Sequence, residues 1–239
     1  SNTATWYLND TRGNGIQSIN STASGYYSTA MGVETTAFGD ISTAMGHQTT
    51  ASGHYSTAMG YQTEASGYTS TAMGDRTMAS GNDSTAMGKN TTASGWASTA
   101  MGFYTMASGD YSTAMGNGTT ASGSRSTAMG SGTVASGNYS TAMGRITTAS
   151  GSVSTAMGYY STASDFSSLV MGQFNLSGST VTSSADQFSL DNTAFVIGNG
   201  ADSDNRSDAL VVKFNGDATL AGSMTATSFI GDGSQLTNL

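Results

Sequence analysis

Ser-Thr-Ala-Met-Gly begins at Ser28 and returns, 14 residues apart each time, at Ser42, Ser56, Ser70, Ser84, Ser98, Ser112, Ser126, Ser140 and Ser154. A period that never slips means one structural unit used over and over, each able to bury its face only against the next. Seven residues after each start comes a second half-unit, from Thr35-Thr36-Ala37-Phe38-Gly39 to Thr147-Thr148-Ala149-Ser150-Gly151. The register reaches back to Ser21-Thr22-Ala23-Ser24-Gly25. It runs forward to Ser168-Leu169-Val170-Met171-Gly172, with Asp165 where the preceding Gly would stand. About eleven coils are implied.

A sub-period of seven suggests a coiled coil, but a Gly at every seventh position costs about 1 kcal/mol each in a helix interior. No Leu or Ile seam compensates. Two short strands per coil, each half-unit one strand closed by Gly and two variable turn residues, fit better. Stacked in register about 4.8 Å apart, eleven such coils extend roughly 50 Å. The fold class predicted is all-β, a parallel β-roll (solenoid) of 14-residue coils.

Alternation along a strand assigns its faces. Thr29 and Met31 share one face, Ser28 and Ala30 the other; Thr35 and Ala37 point together, while the position between them accepts Thr36, Thr50, Glu64, Met78, Thr92, Met106, Thr120 and Val134. A position that tolerates Glu, Met and Val faces solvent, which leaves Ala37 opposite Ala30 across a thin lumen. The Met column (Met31, Met45, Met59, Met73, Met87, Met101, Met115, Met129, Met143, Met157 and Met171) then lies outside the roll. An apolar stripe of that length needs a partner, because monomers do not leave such patches in water. The competing arrangement, Met filling the coil's own core, has little room beside Ala, Thr and Gly.

Composition excludes several functions. There is no Cys, hence no disulfide, thiol nucleophile or thiolate metal site, and no Pro, which argues against a polyproline stalk. A net charge of −8 with seven Lys and Arg disfavours nucleic acid and anionic membranes as partners. No apolar run approaches the ~20 residues of a membrane span, so no membrane insertion is expected of this chain. The start, Ser1-Asn2-Thr3-Ala4, lacks a basic-then-apolar signal, and the chain reads as part of something longer.

The paired Ser-Thr-Ala-Met-Gly and Thr-Thr-Ala-Ser-Gly half-units resemble the head repeats of YadA-like trimeric autotransporter adhesins, over residues of about 21–175. The resemblance implies a left-handed roll, a homotrimer with two identical chains, and an axis lined by the apolar column, here Met where Ile or Val is commoner. It also implies an extracellular place on a bacterial surface or fibre appendage, the virion tail fibre being the alternative. Farther on, Asn192 to Gly200, Ser203 to Leu210, Lys213 to Asp217 and Ser228 to Leu239 are similar to segments of phage-type tail fibres and chimeric bacterial surface fibres. Asn215-Gly216, between Leu210–Phe214 and Ala218–Leu220, is a strong hairpin signal. The organisation expected is a lead-in or cap at 1–20, the roll at 21–175, and at 176–239 a small C-terminal β cap or hairpin neck leading toward a chaperone or tip.

No catalytic constellation emerges, so no enzyme and no cofactor are expected. His47 and His54 fall on opposite edges of a coil. No Ser sits in a Gly-x-Ser-x-Gly elbow with a His to activate it. Asp202-Ser203-Asp204-Asn205 with Asp208 lacks the Gly and distal Glu of a calcium loop and reads as a polar turn. The recognition candidates are aromatic turn residues: His54, Tyr55, Tyr68, Trp96 and Tyr111 on one edge, Phe103 and Tyr104 on the other. Rings at coil spacing can grip a target-cell glycan or protein, or simply pack on neighbouring turns or an adjacent chain. Three functions fit: an adhesive fibre head, a passive shaft spacing a tip, and an ice-binding solenoid, the last disfavoured because the constant Thr column points inward.

Overall fold

A computed structural model describes residues 7–9, 15–176 and 185–228. The repeats form a parallel β-solenoid of about eleven turns with 14-residue coils. Its two sheets differ more than the half-units suggest. The first half-unit makes a five-residue strand, such as Thr85–Lys89, that runs through Gly88 and takes in the first variable residue; the second makes only a two-residue strand, such as Thr92–Ala93. Each strand pairs in register with the coil before and after, so Ala86 meets Ala72 and Ala100, and Met87 meets Met73 and Met101.

Small side chains close the roll. Ala86 and Ala93 are fully buried, with Ser84 and Thr91 beside them, while Thr85, Met87 and Thr92 are half-buried on the outside. The lumen is therefore lined by methyls and hydroxyls, and Ser98 Oγ donates to Gly95 O at 2.7 Å. The two glycines of a coil serve different ends. A Cβ on Gly95 would lie 2.1 Å from the carbonyl oxygen of Gly109 in the next coil, although its φ is unexceptional; Gly88 has both that conflict, at 2.0 Å from Gly102 O, and a φ of +120°. Coil stacking, more than turning, demands glycine.

The left-handed turn positions fall instead on the second variable residue after each Gly, Asn90 at φ 52° and Ala97 at φ 50° in this coil. β-Branched Ile41, Thr69, Ile146 and Val153 occupy the same slot, at φ between 50° and 63°. The turns are also laddered from coil to coil, as Tyr111 N–H to Trp96 O at 2.7 Å and Gln62 N–H to His47 O at 2.9 Å.

The two sheets end differently. The sheet of two-residue strands has 11 strands and stops at Thr162–Ala163. Asp165 follows there, and where earlier coils need Gly it carries a buried carboxylate whose Oδ2 accepts from Thr193 N–H at 2.7 Å. The long sheet has 16 strands and continues. Thr193–Asn199 pairs parallel with Leu169–Gln173, and Asp208–Lys213 and Ala218–Leu220 add antiparallel around the Asn215-Gly216 turn. At its other end, Tyr7–Asn9 pairs antiparallel with Gly15–Gln17.

Candidate functional site

The outer face of the long sheet carries two columns. Thr29, Thr43, Thr57 and their successors form one; the eleven methionines form the other, all half-buried by their column neighbours within a single chain. The Met column does not stop with the repeats. Met171 pairs with Ile197, Ile197 with Leu210, and Leu210 with Leu220, so one apolar line crosses from the first full coil to the hairpin. Sequence reading missed this continuation because the intervening segment breaks the period.

The outward position of the short-strand sheet is irregular, with Glu64, Met78, Met106 and Val134 interrupting its threonines. No flat Thr-x-Thr array results on either sheet, since the uniform Thr column stands beside Met.

On one edge Trp96 and Tyr111 are 46% and 42% exposed, their rings edge-to-face with centroids 4.6 Å apart. Trp96 is held in place by its Nε1–H to Asp83 Oδ2 at 3.1 Å and its backbone N–H to Asp110 Oδ1 at 2.9 Å. Two further members of this column went unread in the sequence. The Arg125 guanidinium lies 5.0 Å from the Tyr111 ring centroid and 5.3 Å from that of Tyr139, and donates to Tyr139 Oη at 3.1 Å. The signal was available: Tyr111, Arg125 and Tyr139 share one slot of the period. Tyr55 and Tyr68 meet at 5.4 Å and His54 and Tyr68 at 6.4 Å on the same edge, while Phe103 and Tyr104 meet at 4.4 Å on the other. Phe103 ends a strand, so only Tyr104 of that pair is a turn residue.

Near the end of the roll Tyr160 and Phe174 stack at 4.8 Å, and Arg206 bonds Tyr160 O at 3.2 Å and Asn175 O at 3.1 Å. These rings are taken up in joining the following segment to the roll.

His54 Nδ1 is 3.5 Å from Asp40 Oδ2 in an exposed pair, and no three metal-ligating side chains converge among the described residues. Asp202 Oδ1 accepts from the backbone N–H groups of Asp204 and Asn205, both at 2.9 Å, closing a polar turn. The Asn205 side-chain amide, with those two N–H groups, holds the Asp202 carboxyl below the usual carboxylate range. Burial pushes the Asp208 carboxyl up, opposed by the N–H of Leu176.

A stack of parallel coils with uniform Thr and Met columns along one sheet and rings along its edges defines the class: a structural β-solenoid of the adhesin type. The YadA head domain repeat model matches in overlapping windows that together run over residues 23–161, more than half of the chain. The chain belongs to the YadA head-repeat family, which points to a surface fibre of the trimeric autotransporter adhesin type. No curated protein matches it as a relative.

Proposed function

We propose that this chain is the head of a homotrimeric extracellular fibre, its three left-handed rolls packed around the Met column, and that it attaches to a glycan or protein of a target-cell surface. The observation that carries the reading is the unbroken outward line from Met31 through Met171 to Ile197, Leu210 and Leu220. Coil stacking requires nothing of that column, and a half-exposed apolar line running the length of the sheet is a surface that a partner would cover. Three-fold closure is taken from the family, whose heads form homotrimers.

The proposed organisation is a lead-in or cap at 1–20, the roll at 21–175, and at 176–239 a β-hairpin neck that covers the end of the roll and leads toward a chaperone or tip. The proposed contact surface is the ring column at Trp96 and Tyr111, with Arg125 and Tyr139, supplemented by His54, Tyr55 and Tyr68 and, across the roll, Phe103 and Tyr104. The exposed Trp96 ring, pinned through its Nε1–H by Asp83, offers amphipathic area at low entropic cost. A Trp96→Ala, Tyr111→Ala variant that keeps its mass in solution and its melting temperature is expected to lose attachment to target cells. Undiminished attachment would favour the passive shaft.

A further inference from the structure

On the edge opposite Trp96, a groove of about 460 Å³ is lined by Glu34, Gln48, Thr50, Gln62, Thr63 and Glu64. Three of these occupy one slot of the period, at φ between 51° and 55°, so the backbone aims them alike. They form a directional ladder: Gln48 Nε2 donates to Glu34 Oε2 at 2.8 Å, Gln62 Nε2 to Gln48 Oε1 at 2.9 Å, and Arg76 Nε to Gln62 Oε1 at 3.0 Å. Stacking does not ask for this. In later coils the slot holds Asn90, Tyr104, Gly118, Gly132 and Ile146.

We infer that this groove binds a neutral oligosaccharide laid along the ladder. Its volume falls within the range of small-molecule sites. Each glutamine keeps an N–H after the ladder bonds are made, and Thr50, Glu34 and Glu64 add acceptors, so the groove offers both donors and acceptors to a row of hydroxyls. Fixed in the ladder, these side chains lose little freedom on binding. The Tyr61 ring is exposed and carries the Arg76 guanidinium 5.4 Å from its centroid, which anchors Arg76 at the end of the ladder. Two carboxylates repel an acidic chain. Glu64 bonds to no described side chain, so it is free to accept from a ligand. Thr50 and Glu64 project from the short-strand sheet, on the side of the roll away from the Met column.

The test is calorimetric titration of the full chain with short neutral malto-, cello- and galacto-oligosaccharides, with hyaluronate oligomers and spermine as acidic and cationic comparisons. Binding by a neutral member is expected, weakened about tenfold in Gln48→Ala, Gln62→Ala and severalfold in Glu64→Ala. Glu64→Ala supports no ladder bond, so its melting temperature should not move and its lost affinity cannot be put down to folding. Trp96→Ala, Tyr111→Ala should bind the sugar as the parent does. The inference is overturned if no neutral member binds, if either groove variant binds undiminished, if spermine or hyaluronate binds in preference, or if the Trp96 and Tyr111 changes abolish sugar binding.

Discussion

Along the long sheet the outward positions repeat Thr and Met in coil after coil, whereas along the sheet of two-residue strands they run through Thr36, Thr50, Glu64, Met78, Thr92, Met106, Thr120 and Val134. Inside, the sheets are alike, each presenting a column of fully buried Ala. Uniformity on the inner faces follows from stacking, since every coil must accept the same neighbour. Uniformity on an outer face has no such cause. The contrast therefore separates what the fold demands of a column from what something outside the chain demands of it.

The largest effect should come from the inner column. Ala93→Leu overfills a lumen with no room to give and is expected to cost about 3 kcal/mol or more, against nearly nothing for Thr92→Leu one residue away. Equal melting temperatures would break the distinction between faces. Next is the uniform outer column, where Met87, Met101 and Met115 changed together to Asp should drive the proposed trimer apart in light scattering, because in it each charge would be buried beside copies of itself. An assembly of unchanged mass would mean that the column faces solvent after all.

Smaller effects sharpen the comparison where the sheets part company. Asp165→Gly restores the repeat but removes the acceptor of Thr193 N–H; a loss of about 1–2 kcal/mol is expected, seen as faster amide exchange over 193–199 with the central coils unaffected. Val153→Gly should gain about 1 kcal/mol in thermal unfolding, since a β-branched residue is held there at φ 63°. The smallest concerns Asp208. With its folded pKa raised, its protonated form favours the folded state below the unfolded pKa, and that contribution is lost as pH rises through the folded value. Asp208→Asn should therefore slightly raise stability at neutral pH and flatten the dependence through the carboxylate range.

The period, the inward Ala and Thr columns, the outward Met column and the edge placement of Trp96, Tyr111 and Tyr104 could all be read from sequence, because alternation and a constant spacing fix them; Phe103, read as a turn residue, is the last residue of a strand. The difference between the strands could not, because Thr-Thr-Ala-Ser-Gly and Ser-Thr-Ala-Met-Gly have the same pattern and only stacking geometry shortens one. Glycine was legible as punctuation but not as clearance: Gly95 has an ordinary φ and is required by the carbonyl of Gly109. Residues 193–220 read as a separate neck, since their pairing with Leu169–Gln173 is a tertiary match between Phe195-Val196-Ile197-Gly198 and Leu169-Val170-Met171-Gly172 that no period announces. The ladder at Glu34, Gln48 and Gln62 carries no sequence signal of its own, because Glu and Gln are ordinary residues of a solvated turn and only the shared left-handed backbone aligns them.

The turn ladders bear on how the rod answers force. Coils are joined through both sheets and through turn bonds such as Tyr111 N–H to Trp96 O and Gln62 N–H to His47 O, nearly all pointing along the stacking direction. A pull along the rod is thus shared at once by every bond of an interface between coils, and none can be peeled away before its neighbours. Such a rod should hardly lengthen under tension and should then part abruptly at one interface, the behaviour of a tether that transmits a load rather than absorbing it.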